Sequence, residues 1–196
     1  YLFVTVRDGL RVFDATNPAA PVMVEGASVP LENAHKIYLA RTYAYVAAGA
    51  QGIAIIDIRD PSKAALHSTF NADGKIVDAR DVILGTTNAS LFAYVADGAG
   101  GLKVVQLTSP DSQPRYYGYS PEPKPELIAW KATSSPALAL SKGLARDRAV
   151  DETGGQIAVF GRLGSRPFTM AEQRKLYLDA KGDPWTVSDT PGDGDF

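Results

Sequence analysis

The chain has 196 residues, 45% hydrophobic and 21% charged, with a formal net charge of -2, the composition of a folded domain of ordinary size; this balance excludes the basic face expected of a nucleic-acid binder. It contains no cysteine, which excludes disulfides, thiolate zinc sites, iron–sulfur clusters and thioether-linked haem on this chain. No apolar run approaches the roughly 18 residues of a membrane-spanning helix.

The chain opens in mid-pattern. YLFVTVRDGLRVFDATNP (residues 1–18) is an aromatic-led apolar run, a turn at Gly9, a β-branched run and a turn at Asn17-Pro18. Because it opens on Tyr1, without Met or a signal peptide, the sequence is expected to start after a processing site or inside a longer protein. The unit recurs as YAYVAAGAQGIAIIDIRDP (residues 43–61) and FAYVADGAGGLKVVQLTSP (residues 92–110). The turn glycines Gly9, Gly52 and Gly101 are spaced by 43 and 49 residues. Val, Ile and Tyr at these positions predict strands. Residues 53–58 are almost all apolar, so that strand is expected to be buried on both faces. A short polar residue before Pro18, Pro61 and Pro110 predicts a turn after each pair.

A weaker strand follows each pair, at 22–24, 66–70 and 115–119, and another precedes the later copies, at 34–39 and 79–84, with an insertion over 85–90 in the third. Four short strands in about 43 residues are the signature of a β-propeller blade. The first copy lacks its opening strand. Residues 120–142, with Pro121, Pro123, Pro125 and Pro136, are expected to form a long connection that packs on the outside or caps an end. Ala145, Arg146 and Asp147 repeat Ala79, Arg80 and Asp81, and 156–160 repeat 91–95, so a fourth copy is expected there. One helix is predicted over 166–182. A capping box of Thr169 and Glu172 starts it, Met170 with Tyr177 and Ala171 with Leu178 form an apolar stripe, and Gly182 and Pro184 end it. The reading is all-β: propeller blades over 1–164, then a C-terminal helix and polar tail over 165–196.

Residues 10–14, 53–57 and 102–106, with the YAYVA-type lead-in and the following Pro, resemble the LVIVD repeat. The resemblance covers 1–119 well and 144–160 loosely. It implies a β-propeller from a bacterial or archaeal, extracytoplasmic family, some members of which accompany multihaem cytochromes. The third copy departs from the pattern by placing Gln106 at the Asp position. Closed propellers need at least four blades, and an open arc leaves hydrophobic edges. Upstream sequence or another polypeptide is therefore expected to complete the ring.

The first candidate site is the opening strand of each blade, which lines the channel of a propeller. His35 and Lys36, Arg80 and Asp81, and Arg146 and Asp147 occupy equivalent positions there. Converging cations and carboxylates suit an anionic ligand or an acidic patch of a partner; a ring of structural ion pairs is the alternative. Asp14 and Asp57 are expected to accept backbone amides in the turns that follow them, rather than to bind metal. His67 reads as a satisfied surface histidine, and the Gly-rich turn at 97–101 as a hairpin connection rather than a phosphate loop. Residues 161–166 read as a loop leading into the helix, and Asp189, Asp193 and Asp195 as a solvated tail. No cofactor, metal site or nucleophilic triad is indicated. The leading functional expectation is a non-catalytic, extracytoplasmic protein-binding module, docking a redox partner such as a multihaem cytochrome. An enzyme with its site at the channel mouth, and a structural surface or filament component, are the alternatives.

Overall fold

Alternation between small and large apolar residues builds three stacked sheets. The computed structural model describes residues 1–87, 90–114, 120–141, 162–163, 166–167 and 169–183. It divides into two compact units, Tyr1–Gly143 and Leu144–Phe196.

In the first unit, sheet one contains β1 (Leu2–Val6), β2 (Gly9–Asp14) and an outer strand in two pieces, β3 (Val22–Met23) and β4 (Val29–Pro30), both paired with β2. Sheet two runs in the order β5 (Ile37–Ala40), β6 (Tyr43–Ala47), β7 (Ile53–Asp57) and β8 (Ala65–Phe70). Sheet three contains β9 (Asp81–Thr87), β10 (Ser90–Ala96), β11 (Leu102–Thr108) and β12 (Glu126–Lys131) in the same antiparallel order. These are propeller-type blades of up-and-down strands, as the repeat predicts. Among the described residues, sheet one has no inner strand, as expected.

Registers fix the equivalences. Phe3 faces Val12 as Tyr45 faces Ile55, and Val46 faces Ala54 as Val95 faces Lys103. Tyr43, Tyr45, Ile53 and Ile55 of sheet two pack with Val82, Leu84, Ala93, Val95, Val105 and Leu107 of sheet three. The opposite face, Ala44, Val46, Ala54 and Ile56, packs with Leu10 and Val12 of sheet one. β6 is buried along its whole length, which explains why its sequence does not alternate in polarity. Burying each large side chain stabilises the stack by about 1.5–3 kcal/mol. Burial also pushes the Tyr45 phenol above its ordinary pKa.

The repeat glycines sit where the middle hairpin meets the end of the outer strand. Gly52 has φ +77°, and a Cβ there would lie 2.1 Å from the carbonyl oxygen of Phe70. Gly9 and Gly101 abut Val29 and Lys131 in the same way.

In sheet three the insertion takes a definite form, and one expectation is corrected. The insertion over 85–90 lengthens the β9–β10 ladder, with Ser90 opposite Thr87 and Leu91 opposite Thr86. The outer strand is Glu126–Lys131, inside the segment read as a Pro-rich connection; residues 115–119, expected to form it, lie outside the described residues. Leu127 of this strand packs on the core between sheets two and three, an anchor that the flanking prolines obscured. The loop before it reaches back to sheet two, where Ser120 Oγ lies 2.6 Å from Thr42 Oγ1 and Glu122 lies 3.4 Å from His67 Nε2.

The turn carboxylates behave as expected. Thr16 donates its amide to Asp14 at 2.8 Å, Arg59 donates its amide to Asp57 at 3.0 Å, and Ser62 donates its amide to Asp60 at 3.0 Å. The bonds from the Thr16 hydroxyl, the Arg59 guanidinium and the Ser62 hydroxyl are the chief reason that all three carboxyls titrate below 3.8, their ordinary value. A carboxyl lowered on folding stabilises the fold fully above its unfolded pKa, and loses that contribution as pH falls through the lowered value. Denaturant midpoints are therefore expected to fall below about pH 3.8, and Asp57→Asn is expected to flatten that dependence. An unchanged slope in the variant would show that Asp57 is not coupled to folding.

In the second unit, β13 (Arg162–Leu163) and β14 (Arg166–Pro167) pair antiparallel, and α1 runs over Met170–Tyr177. The capping box of Thr169 and Glu172 is present. The helix is shorter than predicted: residues 166–167 are a strand, and Leu178 is extended with φ -122°. Met170 and Ala171 are exposed and Leu178 lies past the helix end, so the expected stripe is not a buried seam. Pro184 and the acidic tail lie outside the described residues.

Candidate functional site

The candidate site lies where the middle hairpins and the connections between sheets come together. In sheet two, His35 donates its amide to the Ala47 carbonyl at 2.8 Å, and Ala47 donates its own to Lys36 at 2.9 Å. In sheet three, Arg80 donates its amide to the Ala96 carbonyl at 2.8 Å, while Asp81 lies opposite Ala96. His35 with Lys36 and Arg80 with Asp81 thus hold the same inner-strand positions, as the sequence predicts. The entry is marked by a paired bridge between Gly49 and Ala79, repeated between Gly98 and Ala137. The Ala79 position is therefore filled after sheet three by Ala137. Arg146 and Asp147, assigned to the corresponding inner-strand positions from the sequence, lie outside the described residues.

Asp81 is the centre of this region. It is 2% exposed, and its Oδ2 lies 3.3 Å from Lys36 Nζ and accepts the Leu140 amide at 2.8 Å. One carboxylate thereby joins sheet two, sheet three and the segment that follows. Its Oδ1 is buried without a hydrogen-bond partner among the described residues. Arg80 turns away from this pair and bonds Asp78, with Nε 2.8 Å from Oδ1. His35 is half-buried. Among the described residues, Lys36 with Asp81 and Arg80 with Asp78 form two separate pairs.

A second buried carboxylate lies nearby. Asp97 is fully buried, and its Oδ1 accepts the amides of Val77 and Asp78 at 2.8 and 2.7 Å. Its Oδ2 is 3.5 Å from Lys103 Nζ, which is also buried. Asp97 and Lys103 replace Ala48 and Ala54 of sheet two. Sequence reasoning saw only a Gly-rich hairpin here; the signal was the departure of copy three from copy two at both of these positions together. Among the described residues, Asp78, Asp81 and Asp97 are paired with Arg80, Lys36 and Lys103 respectively.

Asp14 and Asp57 are committed to their turns, and His67 to the Glu122 contact and an edge-on contact with Tyr43, at a centroid distance of 5.4 Å. Among the described residues, no three His, Asp or Glu side chains are grouped to hold a metal ion. No described helix is long and apolar enough to cross a membrane.

Asp81→Ala removes both its Lys36 contact and the acceptor for the Leu140 amide. The unsatisfied buried amide is expected to cost about 1–3 kcal/mol. Denaturant titration of Asp81→Ala and Asp81→Asn tests this: Asn, which keeps an acceptor, should lose less. Equal losses would mean that the amide contact contributes nothing.

The sequence model of the family described as LVIVD repeat matches residues 1–27, 33–72 and 90–117. No curated protein and no solved structure matches the chain.

Proposed function

Because the chain belongs to the LVIVD repeat family, through repeats spanning residues 1–117, we propose that it acts as a non-catalytic protein-binding propeller module. The observation that supports this most is the separate pairing of the inner-strand charges, Lys36 with Asp81 and Arg80 with Asp78. Groups held in this way brace the sheets; they do not stand ready as a nucleophile, a base or an anion clamp. Binding capacity lies instead at the apolar surfaces of the stack. On sheet one, Leu2, Val6 and Met23 are 50%, 36% and 49% exposed. On sheet three, Trp130 is 67% exposed and Ile128 44%. Exposed large apolar side chains of this kind are where a partner would gain most by burial.

The partner we propose is a redox protein such as a multihaem cytochrome, met outside the cytoplasm; both points follow from the family resemblance alone. The test is native capture of the tagged full chain from envelope and soluble fractions, with mass analysis and haem staining of stoichiometric companions. A haem-staining companion from the envelope fraction is the expected result. A chain that sediments as a lone monomer, with no stoichiometric companion from either fraction, overturns the reading.

A further inference from the structure

We propose that Asp97 and Lys103 become covalently joined once the chain has folded, through an isopeptide bond from Lys103 Nζ to the side-chain carbonyl carbon of Asp97. The inference goes beyond the binding reading and stands or falls independently of any partner.

Three differences between the second and third copies fall on one spot. Val95 lies opposite Lys103 as Val46 lies opposite Ala54, so Lys103 stands where sheet two has Ala54, and Asp97 where it has Ala48. In the turn between them Gly100 replaces Gln51. A Cβ at Gly100 would overlap Asp97 Oδ2, so the turn makes room for this carboxylate. Sheet two shows that the hairpin forms with alanine at both positions, yet sheet three buries an acid and an amine there, Asp97 fully and Lys103 to 8% exposure.

As an ion pair the arrangement is poor. Nζ stands 3.5 Å from Oδ2, beyond the roughly 2.7–2.9 Å of a charge-assisted hydrogen bond, and Oδ2 accepts no hydrogen bond among the described residues. A buried pair repays its desolvation only with good geometry and satisfied lone pairs. As reactants the same groups are well placed. Nζ is at about the 3–3.5 Å separation of a near-attack arrangement. Oδ1 accepts the Val77 and Asp78 amides at 2.8 and 2.7 Å, two fixed donors of the kind that stabilise an oxyanion. Burial keeps out the water that would reverse the reaction.

The step balances within the pair. One proton passes from the Lys103 ammonium to Asp97 Oδ2, leaving an amine and a carboxylic acid. The Nζ lone pair attacks Cγ, and the carbonyl electron pair moves onto Oδ1, held by the two amides. A second proton passes from nitrogen to the Oδ2 hydroxyl. The Cγ–Oδ2 bond breaks, the double bond to Oδ1 re-forms, and one water leaves. An ammonium and a carboxylate become an amide and water, with no oxidant, reductant or further reactant.

The test is mass analysis of the full chain, incubated folded and then denatured. The expected mass is one water below that of the sequence. Trypsin should fail to cut after Lys103, so that the loss is carried by the peptide from Asp81 to Arg115, without sequence ions from between Asp97 and Lys103. Chain held in denaturant throughout, and folded Lys103→Met, should keep the full mass. Full mass in the incubated folded chain overturns the inference. Loss of water with cleavage after Lys103 intact also overturns it, since that marks a succinimide at Asp97-Gly98, as does the same loss in Lys103→Met. If that variant fails to fold, cleavage after Lys103 in the unaltered chain decides.

Discussion

Asp97→Ala is expected to lower the stability of the first unit by about 3–5 kcal/mol, the usual cost of leaving one member of a buried ion pair alone. Lys103 is 8% exposed and its Nζ has Asp97 as its ion-pair partner. The Val77 and Asp78 amides lose their acceptor in the same change. The protein contains its own control, because sheet two places Ala48 and Ala54 at these positions and buries both completely. The double variant Asp97→Ala/Lys103→Ala is therefore expected to recover part of the loss, leaving about 1–3 kcal/mol for the unsatisfied amides. Chemical denaturation of the two single variants and the double variant forms a cycle that isolates the coupling. Additive losses would mean that the pair does not interact.

Gly52→Ala is expected to be nearly as damaging, at about 2–5 kcal/mol, combining steric overlap with an unfavourable backbone region. The added Cβ would sit 2.1 Å from the Phe70 carbonyl oxygen and 2.7 Å from the Asn71 Cα, atoms of the backbone that cannot swing aside. Gly74 separates the two causes. Its φ is +81°, yet an added Cβ meets nothing within 4 Å, so Gly74→Ala should cost only about 1 kcal/mol. Thermal or denaturant midpoints of the two variants are the check. Equal losses would assign the whole effect to backbone conformation and none to the contact with the outer strand.

The fold was legible because its repeat is local and punctuated. Gly9, Gly52 and Gly101 mark the middle hairpin, Pro18, Pro61 and Pro110 the turn that follows, and β-branched runs lie between. These features report backbone conformation directly. The inner-strand equivalence of His35 with Arg80 and of Lys36 with Asp81 was legible for the same reason. What sequence reasoning could not give was the direction in which the side chains turn. Arg80 pairs with Asp78, two residues away, and Asp81 with Lys36, 45 residues away; pairing of this kind is settled in three dimensions. The strand Glu126–Lys131 was missed because its pairing with β11 is long-range and prolines precede it. The helix is shorter than predicted because Gly182 and Pro184 stand beyond its true end, Leu178 being already extended, and because Arg166–Pro167 form a strand. The Asp97–Lys103 pair was hidden because a Gly-rich turn drew attention to backbone freedom rather than to the carboxylate at its entrance.

The cross-sheet pair of Lys36 with Asp81 and the burial of β6 along its whole length belong to one account: the sheets stack as propeller blades, held by apolar burial and braced by buried carboxylates. Residue-resolved hydrogen exchange on the free full chain tests that account most directly. It predicts slow exchange through β6, β7, β10 and β11, whose central residues are buried, and faster exchange in the outer strand β12, whose side chains are mostly exposed. Protection of β12 equal to that of β6 would contradict it.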